Sequence, residues 1–134
     1  MRVNHLIIGC EDVVKSQWFY SNILGFPLEN TFIDTGTGKE GVVLVDKTVD
    51  LELLLVPFNY ERLPSPQHIA FEVEDDRFHR ILKNAENSKL DIRSLPPLDC
   101  EIKGVGTTIV RGKKFERFYL LDPSRVNIEI MRLC

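Results

Sequence analysis

The chain lacks any apolar run approaching the roughly 18–20 residues a membrane helix needs, so no membrane partnership is expected of its 134 residues. It also shows no basic start, long apolar core and small-residue cleavage site at its beginning, and a cytoplasmic location is the expectation. Cysteine is scarce: Cys10, Cys100 and Cys134 are odd in number, widely spaced and free of any C-x-x-C pair. That pattern argues against a disulfide framework or a zinc ribbon and leaves buried or idle thiols. Positive charge is not in excess either. A formal charge of -3 gives no cationic footprint for nucleic acid. The local run of Arg111, Lys113, Lys114 and Arg117 reads most simply as a solvated loop.

What is present is an ordinary globular composition, 43% hydrophobic and 28% charged, in a length that suits one domain over 1–134. Apolar, β-branched runs predict strands over residues 3–8, 42–45, 51–56, 68–73, 107–110, 115–121 and 127–131. Helices are predicted over about 12–24 and 75–85, each opening with acidic residues, the first stopped by Gly25 and Pro27. Strand, helix and further strands thus occur in about 1–60 and again in about 66–134, an internal repeat. The second half is longer, and Pro96, Pro97, Gly104, Gly106 and Gly112 mark residues 94–114 as an inserted loop or hairpin.

Side chains alternate between the faces of a strand, so the apolar set identifies the packed face. Ile69, Phe71 and Val73 form one such set, which leaves His68, Ala70 and Glu72 on the other side. Glu52 likewise opposes Leu51, Leu53 and Leu55, and Glu129 opposes Ile128 and Ile130. Imidazoles and carboxylates can together hold Zn²⁺, Ni²⁺, Mn²⁺ or Fe²⁺. Taken singly, however, a strand histidine is more often a hydrogen-bonded core residue and a strand glutamate is usually solvated.

Longer motifs shift that balance. Ser16-Gln17-Trp18-Phe19-Tyr20 with Leu24-Gly25-Phe26 resembles an S-x-x-F-Y-x-x-x-L-G-F helix and exit. His68-Ile69-Ala70-Phe71-Glu72-Val73-Glu74-Asp75 is similar to H-I-A-F-x-V-x-D, and Asp122-Pro123 precedes Glu129 as in D-P-x-G-N-x-x-E. Along almost the whole chain these motifs resemble the vicinal oxygen chelate superfamily, the glyoxalase/bleomycin resistance/dioxygenase group. The resemblance implies an α+β fold of paired βαβββ modules, a curved, mostly antiparallel sheet cup with helices outside. It also implies one divalent metal ion on His5, Glu52, His68 and Glu129, a small-molecule substrate and a homodimer. Whether the cup lies within one chain or between two copies stays open in the sequence.

The His, Glu, His, Glu order resembles glyoxalase I, which implies a lyase or isomerase acting through a metal-stabilised enediolate. Glu129 would then be ligand and proton-abstracting base, with Glu52 opposite. Two departures qualify the resemblance. Gly9 stands where glutathione-dependent relatives carry an arginine, which disfavours a glutathione substrate; Arg111, Arg117 and Arg125 are the candidates to replace it. Arg125-Val126 replaces Gly-Asn, so the final turn is expected to change its backbone geometry. Two rivals remain: an extradiol-type dioxygenase using His5, His68 and Glu129, and a metal-free binding or resistance protein. His79 is read as a rim residue, and Trp18 and Phe19 as packing residues.

Overall fold

The computed structural model describes residues 3–35, 37–58, 68–95 and 103–134. The chain divides into two compact units, Met1–Leu63 and Pro64–Cys134.

The first unit runs β1 (His5–Cys10), α1 (Val13–Trp18), a π-helical turn (Phe19–Ile23), β2 (Leu28–Ile33), β3 (Glu40–Asp46) and β4 (Leu51–Pro57). Its sheet order is β1-β4-β3-β2, with β1 parallel to β4 and the other neighbours antiparallel. Asp12 starts the helix because its carboxylate accepts from the Lys15 amide at 3.1 Å, filling one of the open donors of the first turn. The π turn brings Phe19, Tyr20 and Ile23 inward, and Gly25 at φ +80 releases the chain. The helix packs on β3 and β4, where Leu44, Leu53 and Leu55 are fully buried.

The second unit repeats the plan with β5 (His68–Glu72), α2 (Asp75–Asn87), β6 (Gly106–Val110), β7 (Lys113–Leu121) and β8 (Asn127–Leu133). Its order is β5-β8-β7-β6, again with only the first and last strands of the module parallel. Phe78, Ile81 and Ala85, at helical spacing, are the buried stripe of α2. Phe78 meets Phe118 edge to face at 5.0 Å between ring centres. Phe118, Leu120, Ile128 and Ile130 are buried on the strands, and burying each such side chain is worth roughly 1.5–3 kcal/mol. The α+β architecture of paired βαβββ modules is therefore present.

Three local features depart from the sequence reading. β2 was not predicted, because its LENTFI segment is almost wholly exposed and carries no apolar alternation. It is recruited by pairing with β3, where Gly41 lies opposite Phe32 with room for no Cβ: one would stand 2.5 Å from the ring. The extra length of module two lies between α2 and β6, residues 88–105, against 24–27 in module one; Pro96, Pro97 and Cys100 fall outside the described residues. Arg125 corrects the expected change of the final turn, since it adopts φ +67, the left-handed geometry a glycine would supply. Asp122 enforces that geometry, its buried carboxylate accepting from the amides of Ser124 at 2.8 Å and Val126 at 2.7 Å.

Candidate functional site

Each unit brings one imidazole and one carboxylate of the sequence-derived set together, on its parallel pair of strands. In the first unit His5 and Glu52 are direct partners in the β1–β4 ladder and so share a face. That face also carries Ile7 and Leu54, again ladder partners of neighbouring strands. His5 Nδ1 lies 3.0 Å from Asn4 Oδ1. If Nδ1 donates there, Nε2 keeps its lone pair, the form that binds metals. The Glu52 side chain has no hydrogen-bond or ion-pair partner among the described residues.

In the second unit the pair is diagonal. Ala70, not His68, is the ladder partner of Glu129, and His68 sits opposite Asn127. The side chains still meet: His68 Nε2 is 2.9 Å from Glu129 Oε2. Glu129 is buried although charged, and a second partner compensates it. Arg117 donates from one terminal nitrogen to Glu129 Oε1 at 3.2 Å and to the Tyr119 hydroxyl at 2.9 Å. Tyr119 is the ladder partner of Glu129 on β7. Its other side is held by Arg93, with a Tyr119 amide to Arg93 carbonyl bond of 2.7 Å. Its ring meets His68 at 5.5 Å between centres.

Burial, reinforced by the nearby Glu129 charge and against the pull of Arg117, raises the Tyr119 phenol from 10.0 to about 12. Tyr119 thus keeps its hydroxyl hydrogen throughout the neutral range. Neither Tyr119 nor the contact of Arg117 with Glu129 emerges from the sequence, which places Arg117 in a solvated basic run and among the candidate anchors for an anionic substrate. Arg117 instead lies on β7 with its side chain 17% exposed. The available signal was strand alternation, which puts Arg117 and Tyr119 on one face of 115–121 and Phe118 and Leu120 on the other.

The donor chemistry suits a divalent ion. The His68 imidazole and the Glu129 carboxylate, 2.9 Å apart, are the nitrogen and oxygen donors that would hold such an ion from the second unit. A ligating carboxylate held by an arginine on its other oxygen is a familiar outer-shell arrangement. Two donors alone make a weak site, and among the described residues no group of three or more His, Cys, Asp or Glu stands together.

Twin βαβββ modules, each with a His–carboxylate pair on its parallel strands, define a class of small proteins. A family model described as the Glyoxalase/Bleomycin resistance protein/Dioxygenase superfamily matches residues 2–130, and the chain belongs to that superfamily. Among solved structures it is similar to the oxidase ChaP-H2, with a TM-score of 0.75 at 22% identity over 98% of this chain and 93% of that one. ChaP-H1 is similar at 0.74 and 23%, over 98% and 95%. A mutant of the fosfomycin resistance protein FosX from Listeria monocytogenes, complexed with Mn(II) and 1S,2S-dihydroxypropylphosphonic acid, is similar at 0.66 and 12%, over 96% and 90%. A comparison with curated protein sequences gives no match. No described helix is long and apolar enough to cross a membrane.

Proposed function

We propose that the protein is a divalent-metal-dependent enzyme of the lyase or isomerase type, with His5, Glu52, His68 and Glu129 holding one ion for a small substrate that offers two adjacent oxygens. The observation that carries this reading is the repeat of a His–carboxylate pair on the parallel strands of both modules. When bound, the ion supplies Lewis acidity at those oxygens. The chain's own residues divide the remaining work. Arg117 holds Glu129 Oε1 and leaves Oε2 beside His68 Nε2, which suits Glu129 to a fixed ligand role. Glu52 has no such restraint among the described residues, so it is better placed than Glu129 to take a proton from a substrate carbon. Tyr119 keeps its phenolic hydrogen at neutral pH and directs it to Glu129, which adds to the restraint on that carboxylate.

The superfamily also contains oxidases and resistance enzymes, and the metal's redox role separates them. Reconstitution with Zn²⁺, Ni²⁺, Mn²⁺ and Fe²⁺ in turn, each followed by turnover assays, tests the proposal. Activity with redox-inert Zn²⁺ or Ni²⁺ is expected; activity confined to Fe²⁺ with oxygen consumption contradicts it. The same reading takes the protein as a cytoplasmic homodimer. A monomer at every concentration in sedimentation contradicts the dimer.

A further inference from the structure

The second unit keeps two buried side-chain polar atoms without a hydrogen-bond partner among the described residues: Arg117 Nε and Asn127 Oδ1. Both lie on one face of one sheet. Arg117 is two residues from Tyr119 on β7, and Asn127 two residues from Glu129 on β8. An unsatisfied buried polar atom costs about 1–3 kcal/mol, and these two flank Glu129 along the strands, Arg117 opposite Met131 on one side and Asn127 opposite Leu121 on the other.

The guanidinium is committed at one end only. One terminal nitrogen serves Tyr119 and Glu129. The edge formed by Nε and the other terminal nitrogen has no partner among the described residues. That edge is the planar two-donor fork that matches a pair of anionic oxygens, and anchoring the first nitrogen fixes its direction before a ligand arrives. Asn127, opposite His68 on the same face, has an acceptor left for a hydroxyl.

We infer that Arg117 is a specificity-determining residue whose free edge receives an anionic group of the substrate, a carboxylate or a phospho group, borne in addition to the two adjacent oxygens. This rests on the metal-dependent reading of the same site. The substrate class is thereby a hydroxylated small molecule with a second negative charge.

Three probes share one α-hydroxycarboxylate and differ in a single substituent: glycerate with a neutral hydroxymethyl, malate with a carboxylate and 3-phosphoglycerate with a phosphate. Calorimetric titration into the Mn²⁺-loaded protein is expected to show malate or 3-phosphoglycerate binding about tenfold or more tighter than glycerate, as a charge-assisted fork provides. Which of the two gains identifies the anion. The preference should collapse in Arg117→Gln and persist in part in Arg117→Lys, which keeps the charge but not the fork. Because glycerate is the internal reference, a change in metal affinity cancels from the ratio. No preference in the wild type, or one that survives Arg117→Gln, overturns the inference. Repeating the series on chelator-treated protein separates the two ideas. An Arg117-dependent preference in a chain that binds no ion retains the anion site and rejects the metal reading, and a bound ion without the preference does the reverse.

Discussion

The two modules share strand order and the parallel pairing of first and last strands, yet they treat their functional pair differently. In module one, His5 and Glu52 stand side by side among apolar neighbours, and Glu52 is half-buried with no side-chain partner among the described residues. In module two, Glu129 is buried, shared between His68 and Arg117, and backed by Tyr119. One carboxylate is built into the sheet's polar network and the other is attached to its surface. The difference separates a carboxylate that supports the sheet from one that the sheet leaves unrestrained among the described residues.

Removing each carboxylate in turn sharpens that contrast most. Glu129→Ala strands a largely buried guanidinium and should cost roughly 2–3 kcal/mol of unfolding free energy, below the figure for a fully buried pair because His68 is 41% exposed. Glu52→Ala should change stability by no more than about 0.5 kcal/mol while still abolishing turnover. Urea denaturation of the two variants checks this, and equal losses would erase the distinction between the modules.

Alkaline titration probes the same network with a similar magnitude. Tyr119 ionises near 10.0 when unfolded and about 12 when folded. Between those values the unfolded chain holds fewer protons, so stability falls as pH rises. The contribution is complete below pH 10, gone above about 12, and worth up to about 2–3 kcal/mol. Phenolate absorbance should show a late-titrating step that is lost in Tyr119→Phe; a titration curve that this substitution leaves unchanged in its late part would contradict the burial of Tyr119.

The final turn gives the smallest effect. Arg125 holds a left-handed φ of +67 that costs a non-glycine residue about 1–2 kcal/mol. Part of this is returned by the greater freedom of glycine in the unfolded chain. Arg125→Gly should therefore raise stability by a few tenths to about 1 kcal/mol in thermal or urea unfolding. A loss on that substitution would mean the arginine side chain supports the turn.

Much of the fold was legible because hydrophobic alternation and helix capping are local. Ile69 and Phe71 against His68 and Glu72 already assigned the faces of β5, and Asp12 with Gly25 bracketed the first helix. β2 was not legible, since Glu29, Asn30 and Thr31 carry no burial pattern and are held by the neighbouring strand alone. At the site, the resemblance supplied the four candidate ligand positions, whereas the network around Glu129 depended on register. That Arg117 and Tyr119 reach Glu129 follows from β7 lying beside β8 with Tyr119 opposite Glu129, a long-range pairing no local pattern encodes. The turn at Arg125 failed for a related reason: Asp122 imposes the geometry through two backbone amides, so residue preference at Arg125 does not decide it.

The proposed ion takes one histidine and one carboxylate from each module. The most direct test of this is calorimetric titration of Ni²⁺ or Mn²⁺ into the untagged wild-type chain and into His5→Ala, Glu52→Ala, His68→Ala and Glu129→Ala. One ion per chain is expected for the wild type, with affinity falling at least about a hundredfold in every variant, since each removes a ligand. Unchanged affinity in the two module-one variants, with loss confined to His68→Ala and Glu129→Ala, would contradict it.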